Sequence, residues 1–171
     1  MQLDIKGAFD TVNHTRLLEI LRKKGYPAWV LRWIRSYLTE RTAELLFDGE
    51  ASGKIPLRAG VPQGSGLSPI LFILYISTLY DALKQHAGLV VVGFADDTNL
   101  MVFSRNVRTN CRRLEEAWTT CEEWARTSGM EFAPQKSELI HFTRAHLAPG
   151  DKVRLGEATV VLVELARFLR V

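Results

Sequence analysis

No stretch of this chain is apolar for long enough to cross a membrane. The most apolar run, Ile70 to Ile76, falls far short of the roughly 18–20 residues a span needs, and Ser77, Thr78, Asp81 and Lys84 close it off. A buried helix is its expected fate. Nothing at the start resembles a secretory signal, because Met1-Gln2-Leu3-Asp4 has neither a basic region nor a small-residue cleavage site. Cysteine is scarce, with only Cys111 and Cys121 present. Ten positions apart on one predicted helix, at ~1.5 Å rise per residue, they stand about 15 Å apart, too far for a disulfide. His141 and His146 have a spacing that zinc can use, but no Cys-x-x-Cys accompanies them, which argues against zinc. A reducing, intracellular compartment follows as the expectation, nuclear or cytoplasmic. Long linkers, low-complexity tracts and internal repeats are also missing.

What is present is ordinary for a globular chain of one domain: 171 residues, 47% hydrophobic and 24% charged, enough to bury one core. The net charge of +3 and a pI near 9.0 permit a nucleic-acid partner without requiring one. Both ends fall inside strand-like segments, Met1-Gln2-Leu3-Asp4-Ile5 and Ala166 to Val171, whereas domains usually end in frayed polar residues. The expectation is a piece of a larger chain, 1–171 forming a single partial domain.

The most informative stretch is Gly93-Phe94-Ala95-Asp96-Asp97. Leu89 to Phe94 is almost wholly apolar and predicts a buried strand; Thr98 to Phe103 resumes a strand pattern. Strand, two-residue turn carrying Asp-Asp, strand is a hairpin. Solvated acids in a turn explain it as well as a site does.

The remaining elements follow from periodicity. Leu17, Leu18, Ile20 and Leu21 mark an amphipathic helix from His14 to Lys24, with Asn13 as N-cap and Gly25 as stop. Pro27 opens a second helix with Val30, Leu31, Trp33, Ile34, Tyr37 and Leu38 on its apolar side. Arg22, Lys23, Lys24, Arg32, Arg35 and Arg41 decorate the pair, and a solvated face accounts for them as well as a phosphate-binding one. Ala43 to Phe47 and Gly53 to Leu57 predict a hairpin turning on Asp48-Gly49. The glycine-rich loop before Ser68-Pro69 leads into a helix running to about His86, and is no Walker loop, having no Gly-Lys-Ser/Thr. Residues 106–128 predict the clearest helix, with Val107, Cys111, Leu114, Ala117, Trp118, Cys121, Trp124 and Ala125 along one stripe and Gly129 as stop. Short strands are expected at Glu138–Thr143, Lys152–Leu155, Thr159–Val163 and Arg167–Val171. This interleaving predicts an α+β fold with helices on one face of a mainly antiparallel sheet.

Asp4 ends one predicted strand and Asp96-Asp97 sit at the turn of another. If those strands are neighbours, three carboxylates converge, repel one another and call for a cation. Hard oxygen donors favour Mg²⁺ or Mn²⁺. Two such ions, about 3.5–4 Å apart, can activate a hydroxyl and stabilise a leaving oxygen during in-line phosphoryl displacement.

Leu3-Asp4-Ile5-Lys6-Gly7-Ala8-Phe9-Asp10, Gly60-Val61-Pro62-Gln63-Gly64-Ser65 and Phe94-Ala95-Asp96-Asp97 occur in that order. Together they resemble motifs A, B and C of a reverse transcriptase, most closely that of a non-LTR, LINE-like retrotransposon. Lys136-Ser137-Glu138 resembles motif D, and Phe168-Leu169-Arg170-Val171 the start of motif E. The resemblance implies a polymerase palm with incomplete fingers and no thumb, starting in motif A and ending in motif E. It implies RNA-directed DNA polymerisation, with an RNA template, a DNA primer, dNTP and two Mg²⁺ or Mn²⁺ ions. Asp4 and Asp96 would ligate the metals with Asp97 beside them. Phe9 would stack under the incoming sugar and exclude a 2′-hydroxyl; Ile5, Gln63 and Gly64 would border the nucleotide. Lys136 would sit near the triphosphate. Phe168 and Leu169 would form the primer grip, and Asp10 would be a structural or capping acid.

The chain departs from the family pattern at Gly66, where proline is usual, and at Arg170, where glycine is common. The fingers upstream and the thumb downstream would belong to the larger polyprotein. Two alternatives stay open: a group II intron-type reverse transcriptase, and a remnant that binds nucleic acid or protein without catalysis.

Overall fold

A computed structural model describes residues 1–142 and 152–161 of the chain. They fall into two compact units, Met1–Ala8 with the chain from Ile76 onward, and Phe9–Tyr75.

The first unit is built on a three-stranded antiparallel sheet in the order β1-β7-β6: Gln2–Leu3, Asp97–Val102 and Leu89–Phe94. Side chains alternate across a strand, so Leu3, Thr98 and Leu100 share one face, and all three are fully buried. That face is the core side. The opposite face carries Gln2, Asn99 and Asp97. β6 does not have the wholly buried character that its apolar run predicts: Val90 is 46% and Phe94 65% exposed. Both side chains lie on the face opposite the core, paired with Met101 and Asp97, so the apolar run is covered on one face only.

Helix α4, Val107–Ser128, follows its predicted stripe: Cys111, Leu114, Ala117, Trp118, Cys121, Trp124 and Ala125 are buried. Asn106 caps it by accepting from the Thr109 amide at 3.3 Å, and Gly129 ends it in the left-handed region, φ 68°. Phe132 meets Trp118 edge-on, with ring centroids 5.4 Å apart. The Trp124 indole N–H donates to Thr78 Oγ1 at 2.8 Å. Burial pushes the Cys121 thiol up to about 12, so it stays a protonated core group. A hairpin of β8 (Lys152–Leu155) and β9 (Ala158–Val161) meets α4 through the Arg154 amide, which donates to Glu115 Oε1 at 2.9 Å. Of the expected strand at 138–143, the described residues show only isolated bridging, Gln2 with Glu138. The expected strand at 167–171 lies outside the described residues.

The second half of α3 (Ser68–Leu83) packs on this sheet by the Tyr80 ring, which lies over Gly93. A Cβ at Gly93 would sit 2.0 Å from Tyr80 Oη and 2.6 Å from Cζ, and that hydroxyl shares a 3.4 Å hydrogen bond with Thr98 Oγ1. Gly93→Ala should therefore cost about 1–3 kcal/mol of stability in urea unfolding. Paired with Tyr80→Ala it should cost less than the sum of the single changes. Strict additivity would show that the ring is not what excludes a side chain there.

The second unit begins with α1, His14–Lys23, capped by Asn13 Oδ1, which accepts from the Arg16 amide at 3.0 Å. Leu17, Leu18, Ile20 and Leu21 are its buried stripe. α2, Ala28–Leu38, buries only Ile34 and Leu38 fully. Trp33, expected on the apolar side, is 56% exposed, and Trp29 is 65% exposed. The apolar stripe of α2 is wider than the surface that covers it. The expected hairpin splits into two short ladders, β2 (Thr42–Ala43) with β5 (Ile55–Pro56) and β3 (Leu46–Phe47) with β4 (Glu50–Ala51). Asp48-Gly49 makes the turn as predicted, both residues at positive φ.

Candidate active site

The site is assembled around β1. This strand pairs with β7 through Gln2↔Asn99 and Leu3↔Thr98, so the next step of the register sets Asp4 beside Asp97. β6 and β7 pair up to Phe94↔Asp97. The turn is thus Ala95-Asp96 rather than the Asp-Asp pair that the sequence suggests, and Asp97 opens the second strand. Ala95 takes the strain of the tight turn at φ 53°, a left-handed conformation that is costly for a residue with a side chain. Asp96 stands half-buried at the tip, while Asp97 is only 7% exposed.

The other edge of β1 is held by residues 131–138, through bridges Gln2↔Glu138 and Ile5↔Phe132. Between those bridges the short 3₁₀ turn Pro134–Lys136 takes up the extra residues. It brings Lys136 Nζ within 3.3 Å of Asp4 Oδ2. Asp97 has its own partner, Gln2 Nε2, which donates to Oδ1 at 3.2 Å.

The three acids are therefore neighbours, but not a ready-made cage. Among the described residues no three His, Cys, Asp or Glu side chains stand close enough together to hold a metal ion. The expected convergence needs this correction, and the reason is electrostatic. Bare carboxylates side by side repel, and Asp4 has turned to an ammonium and Asp97 to an amide. The donor set still suits a hard divalent ion, since all its atoms are carboxylate oxygens and a cation already stands at Asp4. Lys136 is 66% exposed and Asp4 20%, so water screens the pair from the ammonium side, and a cation arriving at Asp4 would displace Lys136 toward solvent.

The expected nucleotide-bordering residues lie in the second unit, apart from Ile5, which is 3% exposed and bridged to Phe132. Phe9 is half-buried and stacks one ring face on Phe72, with centroids 4.9 Å apart at 29°. Asp10 accepts from Gln63 Nε2 at 3.4 Å through both carboxylate oxygens. The loop that carries Gln63 is tied to 9–14 by backbone bonds, Gly60 N–H to Val12 O at 2.8 Å and Val61 N–H to Phe9 O at 2.7 Å. Gly60 is required there, because it has φ +88° and a Cβ would lie 2.8 Å from Asp10 O. Gly64 also has positive φ, yet its missing Cβ faces open space. Phe168 and Leu169 lie outside the described residues, as does Arg170. Sequence reading missed Gln2, although its place two residues before Asp4 puts both side chains on one face of the strand.

A family model described as "Reverse transcriptase (RNA-dependent DNA polymerase)" matches residues 1–160. The chain belongs to the reverse transcriptase family. Its relatives are polymerases of non-LTR retrotransposons, as the motif wording implies. It is 30% identical over 153 residues to the RNA-directed DNA polymerase from mobile element jockey of Drosophila melanogaster, covering 86% of this chain and 17% of that protein. It is 31% identical over 149 residues to a retrovirus-related Pol polyprotein from type-1 retrotransposable element R2 of Popillia japonica, covering 82% and 24%. It is 30% identical over 170 residues to the probable RNA-directed DNA polymerase from transposon X-element of Drosophila melanogaster, covering 99% and 18%. The reverse transcriptase chain thus spans between 17% and 24% of the length of these relatives. Apo telomerase from Candida tropicalis, truncated from the C-terminal domain, superposes on 90% of the chain and 32% of its own, with TM-score 0.65 and 16% identity. That likeness shows a shared fold of mixed helices and antiparallel sheets. Among the described residues no helix is long and apolar enough to cross a membrane.

Proposed function

We propose that this chain is the palm, with part of the fingers, of an RNA-directed DNA polymerase that extends a DNA primer on an RNA template inside the cell. The observation that carries the reading is the placement of Asp4 next to Asp97, with Asp96 at the adjoining turn and Lys136 alongside, in a chain of this family. In the reaction the primer 3′-hydroxyl oxygen bonds to the α-phosphorus of a dNTP, and the bond to the bridging oxygen breaks to release pyrophosphate. Two Mg²⁺ or Mn²⁺ ions, held by Asp4 and Asp96 with Asp97 beside them, would lower the hydroxyl pKa and stabilise the leaving oxygen. Gln2 holds Asp97 in place. Lys136, released from Asp4, supplies positive charge or a proton to the departing pyrophosphate oxygen. Gln63 and Gly64 border the nucleotide, on a loop whose geometry Gly60 and Asp10 maintain.

Phe9 screens the sugar, its ring backed by Phe72 so that it cannot retreat from a 2′-hydroxyl. Phe9→Ala should raise ribonucleotide incorporation relative to deoxynucleotide by about tenfold or more, read from kcat/KM for the two substrates. An unchanged ratio would remove Phe9 from sugar selection.

A second reading, a nucleic-acid-binding chain without catalysis, draws on the Lys136–Asp4 pair, which occupies one of the proposed metal ligands. Primer extension on an RNA template with Mg²⁺ or Mn²⁺ separates the two. The chain should be assayed alone and joined to the flanking fingers and thumb of a relative. Extension in either form supports the polymerase, and none in both favours the binder.

A further inference from the structure

From Ile20 to Thr39 the chain has Arg22, Lys23, Lys24, Arg32 and Arg35 and no acid at all. All five cations are exposed. In the same span Trp29 and Trp33 are 65% and 56% exposed, and Tyr26 is 37% exposed. Trp29 and Trp33 lie one turn apart on α2, about 6 Å along its axis, on the side away from buried Ile34 and Leu38. Trp33 stacks at 6.4 Å and 22° on Tyr37, whose ring is in turn covered by the Arg41 guanidinium at 5.6 Å. Arg22 and Arg35 line the groove between α1 and α2 with His14, Thr15, Leu18 and Glu19. Large flat rings left in water cost free energy, and cations interleaved with them oppose a basic or purely apolar partner. Rings and fixed positive charge together match a polymer of flat bases joined by phosphates.

We infer that the exposed face of α2, with the basic α1–α2 turn, is a binding surface for single-stranded polynucleotide, with bases stacked on Trp29 and Trp33 and phosphates on Arg32, Arg35 and Arg22. The surface contains none of the proposed catalytic acids and needs no divalent ion. It is therefore testable whether or not the chain polymerises.

The test is fluorescence anisotropy of labelled oligouridylate and oligothymidylate of about 16 nucleotides, titrated with the full chain in EDTA. Both strands should bind and quench tryptophan fluorescence. A preference for one strand would identify RNA or DNA as its partner. The pair Trp29→Ala and Trp33→Ala should weaken binding at least about tenfold and abolish the quenching. Trp29→Ala alone should keep the wild-type melting temperature and still weaken binding severalfold, which separates stacking from misfolding. Arg32→Ala with Arg35→Ala should flatten the slope of log K against log salt by about 1.4, at roughly 0.7 per phosphate released. Unchanged affinity in the tryptophan variants, or equal binding of a duplex of the same length, would overturn the proposal.

Discussion

Replacing Asp96 by alanine should cut nucleotide incorporation by about a thousandfold or more. The estimate rests on its proposed place as a ligand to both ions, whose stabilisation of transition-state charge is worth several kcal/mol, with each ~1.36 kcal/mol a factor of ten. The substitution isolates chemistry from folding, because Asp96 stands at the tip of the turn, whereas Asp97 is 7% exposed and hydrogen-bonded to Gln2. The melting temperature of the variant should match the wild type. The measurement is single-nucleotide primer extension with the chain joined to its flanking segments. Incorporation that survives the change would sink the metal assignment, while loss together with a collapsed melting curve would point to structure instead.

Phe72→Ala should remove about 3–5 kcal/mol of stability, as expected for a fully buried aromatic ring. Phe72 is 0% exposed, on the half of α3 that belongs to the second unit, and it is the platform on which Phe9 stacks. Against a total of roughly 5–15 kcal/mol for a typical domain, the loss should move the urea midpoint strongly with the slope unchanged. Where the variant still folds, Phe9 loses its backing. Ribonucleotide incorporation should then rise in the same direction as for Phe9→Ala, but less. A loss of under about 1 kcal/mol would mean that the site refills around the cavity and that Phe9 is positioned by something else.

Much of the secondary structure was legible because it is encoded locally. The stripe from Cys111 to Ala125, the cap Asn13, the stop at Gly129 and the turn at Asp48-Gly49 each depend on residues a few positions apart. Trp33 was misjudged for the same reason. Periodicity shows which residues share a side of a helix, but not whether another element covers that side. Likewise the apolar run of β6 carries no sign that only one of its faces is covered, which leaves Phe94 65% exposed. The hairpin turn was misplaced by one residue, and only the pairing Phe94↔Asp97 shows that Asp97 belongs to the strand.

By itself the sequence determined the family, through three motifs in order, and the proposed roles of the acids, of Phe9 and of the loop around Gln63 follow from that family. What only the tertiary structure decided is who stands next to whom. Asp4 and Asp97 are far apart along the chain, and their adjacency follows from the β1–β7 register, where a slip of one residue would send the whole set to the other face. Lys136 reaches Asp4 because a 3₁₀ turn bulges between two bridges. Gln2 reaches Asp97 because alternation along β1 aims it there. Registers, bulges and uncovered faces are settled by long-range packing, and no local pattern of residues records them.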